Sequence, residues 1–365
     1  MKYSARLSML VSRLLTALVL FALVFPVYAQ SAGAQAPPAL VYSQNPEANA
    51  LFLQAREYVA KSDPHSGGKL ANARQAIKLY EQATQKDLGF ALAYVEMGRA
   101  WLSLNYTDPD GASVHEFLPP ARAAAMKAVE LGPNLPEAHL LLAALAYNFD
   151  YDWPTAEREY QLGIKLRPQN AIAHAAYAAY LNSMGRFAES LDEAAKAEAL
   201  TPSLSTDVVF VRTYYSMRSF DKATEYCKKS LARTDNVLGH VYLGFIGVAE
   251  GQYDQALREF KAAAATNNRG SLASLAYGYA MAGDKNHASE LLDKLNTGSD
   301  KELEVPYRVA AVYLALGEKD KAFESLGKAY VDHDNWMNQL KVDPVMDPLR
   351  SDPRFGELMR KMRLG

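Results

Sequence analysis

A single cysteine, Cys227, stands in a chain of 365 residues. That excludes an intrachain disulfide and a cysteine-rich zinc or iron–sulfur centre. An excess of either charge is also missing: 39 Lys plus Arg oppose 41 Asp plus Glu. No global field is present to draw a polyanion, so a strongly basic nucleic-acid binder is excluded. Strings for a Gly-rich phosphate loop, G-x-S-x-G, H-E-x-x-H or C-x-x-C do not occur, and catalysis has no positive support. What is abundant is Ala, 59 residues of it, with 22 Tyr and ordinary Gly and Pro, a mixture that favours helix over sheet or disorder.

Hydrophobic runs are short. Lys2, Arg6 and Arg13 precede an apolar stretch from Leu14 to Val27, and Val27-Tyr28-Ala29 offers small residues before a cleavage point. The stretch carries Pro26 and falls short of the ~20 residues that span a bilayer. Residues 1–29 therefore read as a signal peptide, with a periplasmic or secreted mature chain. The alternative is an uncleaved N-terminal anchor facing the periplasm. Removing them takes three basic residues and no acid, from a formal charge of −2 to −5. Residues 30–46, rich in Ala, Gln and Pro, read as a flexible tether. Cys227, on an apolar helix face, reads as buried and inert.

The rest is periodic. Gly185-Arg186-Phe187, Gly251-Gln252-Tyr253, Gly283-Asp284-Lys285 and Gly317-Glu318-Lys319 repeat one local string. Small residues follow each turn at Ser190, Ala223, Ala256, Ala288 and Ala322, and Pro133, Pro168 and Pro202 close three units. A Gly turn lets two antiparallel helices meet, and a small residue at their crossing lets the backbones approach. One such hairpin cannot bury both of its faces, so neighbours must stack. Long side chains four positions on, Phe260, Leu292 and Leu326, fill the gap.

In these residues the chain resembles the tetratricopeptide repeat family, with Gly98, Ala121 and Pro133 in one unit, Ala143, Ala156 and Pro168 in the next, then Ala178, Gly185 and Pro202, and later Gly244, Gly251 and Ala256. The resemblance implies an all-α, right-handed α-solenoid of about eight helix hairpins over residues 47–334. The first unit has a long turn at 63–68, the second one from Asn105 to Pro120, and the fifth, from Val208 to Arg233, lacks a turn Gly. Residues 335–365 read as a C-terminal capping element, with Asp343, Asp347 and Asp352 each before a Pro and with Phe355, Leu358, Met359 and Met362 in one stripe. Leu118 to Gly185 and the ending from Leu340 to Phe355 are also similar to the repeat halves of bacterial winged-helix, TolB-like and kinase-linked regulators. A signal peptide stands where their effector domain would be, so neither DNA binding nor kinase activity carries over.

The remaining candidates for chemistry are thin. His139, His174 and His240 fall at one repeat position, too far apart for one ion, and read as packing residues. Asn148, Asp150, Asp152 and Glu159 match a calcium-loop spacing, but Trp153 replaces its Gly and Asp152 reads as the cap of a helix starting at Pro154. No metal and no cofactor is expected. The resemblance implies instead a concave groove lined by the first helix of each hairpin, and its partner-facing positions include Arg99, Tyr147, Asn148, Asn182, Arg212, Tyr215, Phe245, Tyr277 and Tyr307. An aromatic, amide-dotted groove suits a protein or peptide segment. The expected function is a non-catalytic, exported protein-interaction scaffold or adaptor in the bacterial cell envelope. It would bind no nucleic acid and touch the membrane only through an uncleaved N-terminal segment. The alternative is a sensory or regulatory module for a small ligand or membrane partner.

Overall fold

A computed structural model describes residues 42–61, 69–107, 114–265, 269–297 and 305–364. The signal peptide and nearly all of the tether lie outside these, as do the whole of the first long turn and part of the second. Among the described residues the chain is helical without a strand. Sixteen helices pair in sequence: α1 (Pro46–Lys61) with α2 (Lys69–Lys86), α3 (Ala91–Thr107) with α4 (Val114–Leu131), and α5 (Pro136–Leu145) with α6 (Trp153–Leu166). Next come α7 (Ala171–Ser183) with α8 (Phe187–Leu200), α9 (Leu204–Ser216) with α10 (Phe220–Arg233), and α11 (Val237–Ala249) with α12 (Tyr253–Ala264). The last two pairs are α13 (Arg269–Met281) with α14 (Lys285–Thr297) and α15 (Pro306–Ala315) with α16 (Lys319–Val331). Each helix packs on its hairpin partner, and along much of the array the odd-numbered helices also meet the next odd-numbered one. The odd helices thus form the inner layer and the even ones the outer layer of an α-solenoid.

The repeated glycines do what their spacing implies. Gly185, Gly251, Gly283 and Gly317 turn their hairpins at φ between 74° and 86°, a left-handed conformation that L side chains resist. In the fifth hairpin Arg218 takes the same turn at φ 60°, so the backbone path survives the loss of Gly at a local cost. Close crossings follow from small residues. A Cβ at Gly247 would lie 3.1 Å from that of Ala256, and Phe260 wedges between Gly244 and Gly278 so tightly that a Cβ on either would sit 2.5 Å from its ring. Side-chain caps at Asp152, Asn170, Ser203 and Asn236 start α6, α7, α9 and α11.

One boundary differs from the sequence reading. The long second turn ends earlier than Pro120, because α4 starts at Val114 and carries Pro119 and Pro120 inside it. Phe117 and Leu118, both buried, anchor this extra turn, and Glu116 pairs with Arg74 at 2.8 Å. No helix among the described residues is long and apolar enough to cross a membrane.

Candidate partner-binding groove

After α16 the chain does not simply cap the last hairpin. A short 3-10 turn at Met337–Gln339, a second at Pro344–Leu349 and then α17 (Pro353–Lys361) carry it along the inner layer. Asp343 and Asp352 cap the second turn and α17, whereas Asp347 lies within the second turn. Met337, Leu340, Met346, Leu349 and Met362 are all 0% exposed, buried with inner-layer residues from Leu140 onward in one apolar cluster. α17 does rest on the last hairpin, where Arg354 reaches Asp320 at 2.7 Å and lies over the Phe323 ring. It also closes the array: the Trp153 indole N–H donates to the Met362 carbonyl at 2.6 Å, 209 residues away. Beside it Tyr151 stacks on Tyr330 and His333, joining the third hairpin to the end of the eighth. The first two hairpins share a second apolar cluster with Ala138, Leu141, Leu145 and Phe149 of the third, running from Ala48 to Phe149.

The C-terminal segment therefore lies on most of the residues the sequence marks as partner-facing. The Asn182 amide donates to Gln339 Oε1 at 2.9 Å, and the Gln339 amide donates to Ser183 Oγ at 2.8 Å. Ser183 in turn shares a 2.7 Å hydrogen bond with the Tyr147 hydroxyl. Asn148 accepts from Asn338 at 3.4 Å. Trp336 sits between two guanidinium groups, with Arg308 4.1 Å and Arg212 4.9 Å from its ring. The Tyr307 hydroxyl donates to Asp343 at 2.9 Å. Tyr215, Phe245 and Tyr277 form one unbroken stripe with successive ring centroids 6.3 and 5.4 Å apart, as their repeat positions imply. Arg99 stands apart from this group, buried in the second hairpin and paired with Glu96 at 2.8 Å.

Electrostatics inside the groove follow from enclosure. Burial raises the hydroxyls of Tyr215 and Tyr307 well above the usual tyrosine range, and nearby Asp343 adds to both shifts. Burial also raises the Asp343 carboxyl, opposed by the Val345 N–H and the Tyr307 hydroxyl. Asp334 shifts upward for the same first reason, opposed by the N–H groups of Trp336 and Tyr307. An acid raised in the folded state binds its proton more readily there than in the unfolded chain. Its contribution to stability is then gained as pH falls through the folded pKa and lost as pH rises. Asp343→Asn cannot ionise; its one oxygen keeps the bond from the Val345 N–H, and its NH2 takes the place of the second carboxylate oxygen, where the Tyr307 hydroxyl turns to accept. The variant is expected to melt above the wild type at pH 8, with the gap closing toward the ordinary carboxylate range near pH ~4. A variant that melts below wild type at pH 8 would place the ionised carboxylate among the stabilising groups.

The repeat-position histidines turn out to be staples. His139 Nδ1 meets Glu159 at 2.6 Å and its Nε2 meets the Pro133 carbonyl at 2.9 Å. His174 repeats this with Glu193 at 2.5 Å and Pro168 at 2.8 Å, and His240 with Glu259 at 2.6 Å and Asp235 at 2.9 Å. Each ring ties the two helices of its hairpin to the preceding turn. The signal was legible, since a Glu follows each His by 19 or 20 residues. Glu159, the closing residue of the calcium spacing, is engaged by His139 and Arg158. Among the described residues no group of three or more His, Cys, Asp or Glu is placed to hold a metal. Burial pushes the Cys227 thiol up to about 12, which leaves little reactive thiolate.

No protein-family model matches the chain, and no curated protein matches it. Solved structures do. Yeast Tom70 is similar at 13% identity and TM-score 0.55, over 95% of this chain and 72% of Tom70. The human IFIT1 dimer with PPP-AAAA is similar at 20% identity and TM-score 0.52, over 87% and 78% of the two chains. TTC0263, a TPR protein of Thermus thermophilus, aligns with 59% of this chain and 98% of its own at 16% identity and TM-score 0.42. Identities this low speak to fold alone. With eight consecutive hairpins, their glycine turns and their small-residue crossings, the chain has the tetratricopeptide-like α-solenoid fold.

Proposed function

We propose that this chain is a non-catalytic protein-interaction scaffold, exported to the cell envelope, whose inner layer binds an extended protein segment. The observation that carries this reading is that the inner layer already holds one, the chain's own residues 335–349. It does so through amide, hydroxyl and aromatic contacts at Asn182, Ser183, Tyr307 and Arg212. Those are the contacts by which an extended peptide is read. Export rests on the charged start, the short apolar run and Val27-Tyr28-Ala29.

A nucleic-acid ligand fits poorly. The human IFIT1 dimer is known with PPP-AAAA, but here the stripe carries two guanidinium groups, Arg212 and Arg308, and the buried carboxyls of Asp334 and Asp343 lie close to Arg308. A strand of phosphates needs several free cations. The small-ligand alternative is offered a cavity of 20 Å³ beside Trp336, Tyr242 and Asp343, room for about one water molecule.

The test is capture from envelope extract with the chain beginning at Gln30, followed by cross-link mapping. A reproducible protein partner cross-linked to the odd-numbered helices is the expected result. Recovery of nucleic acid, or a protein partner cross-linked solely to the outer, even-numbered helices, would contradict it.

A further inference from the structure

We infer that residues 335–349 act as an internal strap occupying the groove in competition with a partner, and that the partner segment shares the strap's chemistry: an aromatic ring, an amide three residues on and a carboxylate four further. The inference rests on the scaffold reading above. In the strap these are Trp336 between Arg212 and Arg308, Gln339 on Asn182 and Ser183, and Asp343 on Tyr307.

Three features separate the strap from a permanent core element. It is built of short 3-10 turns, without an α-helix of its own, and is anchored at both ends by α16 and α17, so it can loop outward without the chain unfolding. His333 enters it at φ 51°, a left-handed conformation costly for a residue with a side chain. Its fit is also incomplete. Asn182 Oδ1 and Arg212 Nε are buried without a hydrogen-bond partner among the described residues, and a 20 Å³ cavity lies beside Trp336. A segment that donates to the first atom and accepts from the second would hold the groove better than the strap does. Exchange replaces one set of apolar side chains by another, so the incoming segment also carries apolar residues that match the burial of Met337, Leu340, Met346 and Leu349. What the partner must overcome is the strap's tethering, equivalent to an effective concentration on the order of mM.

The probe is a fluorescein-labelled peptide of residues 335–349, NWMNQLKVDPVMDPL, added to the full chain. A loosened chain carrying Trp336→Ala and Gln339→Ala, which leaves the groove intact, is expected to bind it about tenfold or more tightly than wild type does. Adding Arg308→Ala is expected to remove that gain. A folded, loosened chain that binds no better than wild type would overturn the inference. Hydrogen exchange on the unmodified chain tests it without any variant. Strap amides are expected to exchange faster than those of α13 and α15, and exchange as slow as in these helices would mean that the strap opens only with global unfolding. Peptide binding by the loosened chain with no protein partner captured from extract would sink the scaffold reading and leave the strap standing.

Discussion

Ending the chain after Val331 is expected to abolish the single cooperative unfolding transition of the third to eighth hairpins. The truncation removes Met337, Leu340, Met346, Leu349 and Met362, each fully buried against the inner layer. At about 1.5–3 kcal/mol per buried apolar side chain, that loss is comparable with the whole net stability of a typical domain. It also deletes the bond from Trp153 to the Met362 carbonyl and the His333 stack that bring the third hairpin to the end of the array. Urea unfolding followed by circular dichroism should show a broadened transition with a lower slope, and hydrogen exchange should quicken in α5 to α16 while α1 to α4 hold. A truncated chain with the wild-type midpoint and slope would reduce the segment to an appendage. Exchange of the strap for a partner segment is a milder event, because the groove is refilled.

Phe260→Ala is expected to cost about 3–5 kcal/mol, the usual range for emptying a buried aromatic site. The ring is fully enclosed and reaches between Gly244 of α11 and Gly278 of α13, so it is the spacer between the sixth and seventh hairpins. No side chain at either glycine can move in to fill the gap. In a solenoid, where each unit chiefly contacts its neighbours, the lost protection should concentrate in α11 to α13. Denaturant titration gives the magnitude and hydrogen exchange the location. A loss below about 1 kcal/mol would show that the hairpins close over the cavity.

The hairpins were legible because their cause is local. A glycine at a left-handed turn, a small residue a few positions later and a large one four further on determine each crossing within about twenty residues of sequence, which is why Gly251, Ala256 and Phe260 could be read together. Arg218 shows that the neighbouring crossings hold the turn even without glycine. The pairing of His139 with Glu159 was within reach of the same logic, since its spacing recurs in two other units. The strap was not. Its contacts join residues 156, 157 and 190 positions apart, and nothing in the local pattern of residues 335–349 says which surface they cover. The stripe of Phe355, Leu358, Met359 and Met362 announced a buried face, but the amphipathic pattern is silent on what buries it.

Placement of the strap also changes how the groove must be probed. Tyr215, Phe245 and Tyr277 are buried in the free chain as well as partner-facing by repeat position. Alanine there removes core packing, and a lost partner would report on folding before it reported on recognition. Strap residues are the cleaner handle, because they can be altered while the inner layer keeps its side chains.

The most direct test of the self-occupied groove is photo-cross-linking from within the strap. Benzoylphenylalanine placed at position 336 keeps an aromatic ring where Trp336 lies 4.1 Å from the Arg308 guanidinium and 6.5 Å from the Tyr242 ring. Irradiation of the dilute full chain, followed by peptide mass spectrometry, is expected to give intrachain links to the segments holding Arg212, Tyr242 and Arg308. Links confined to the C-terminal residues themselves, or links between chains only, would contradict the strap's place in the groove.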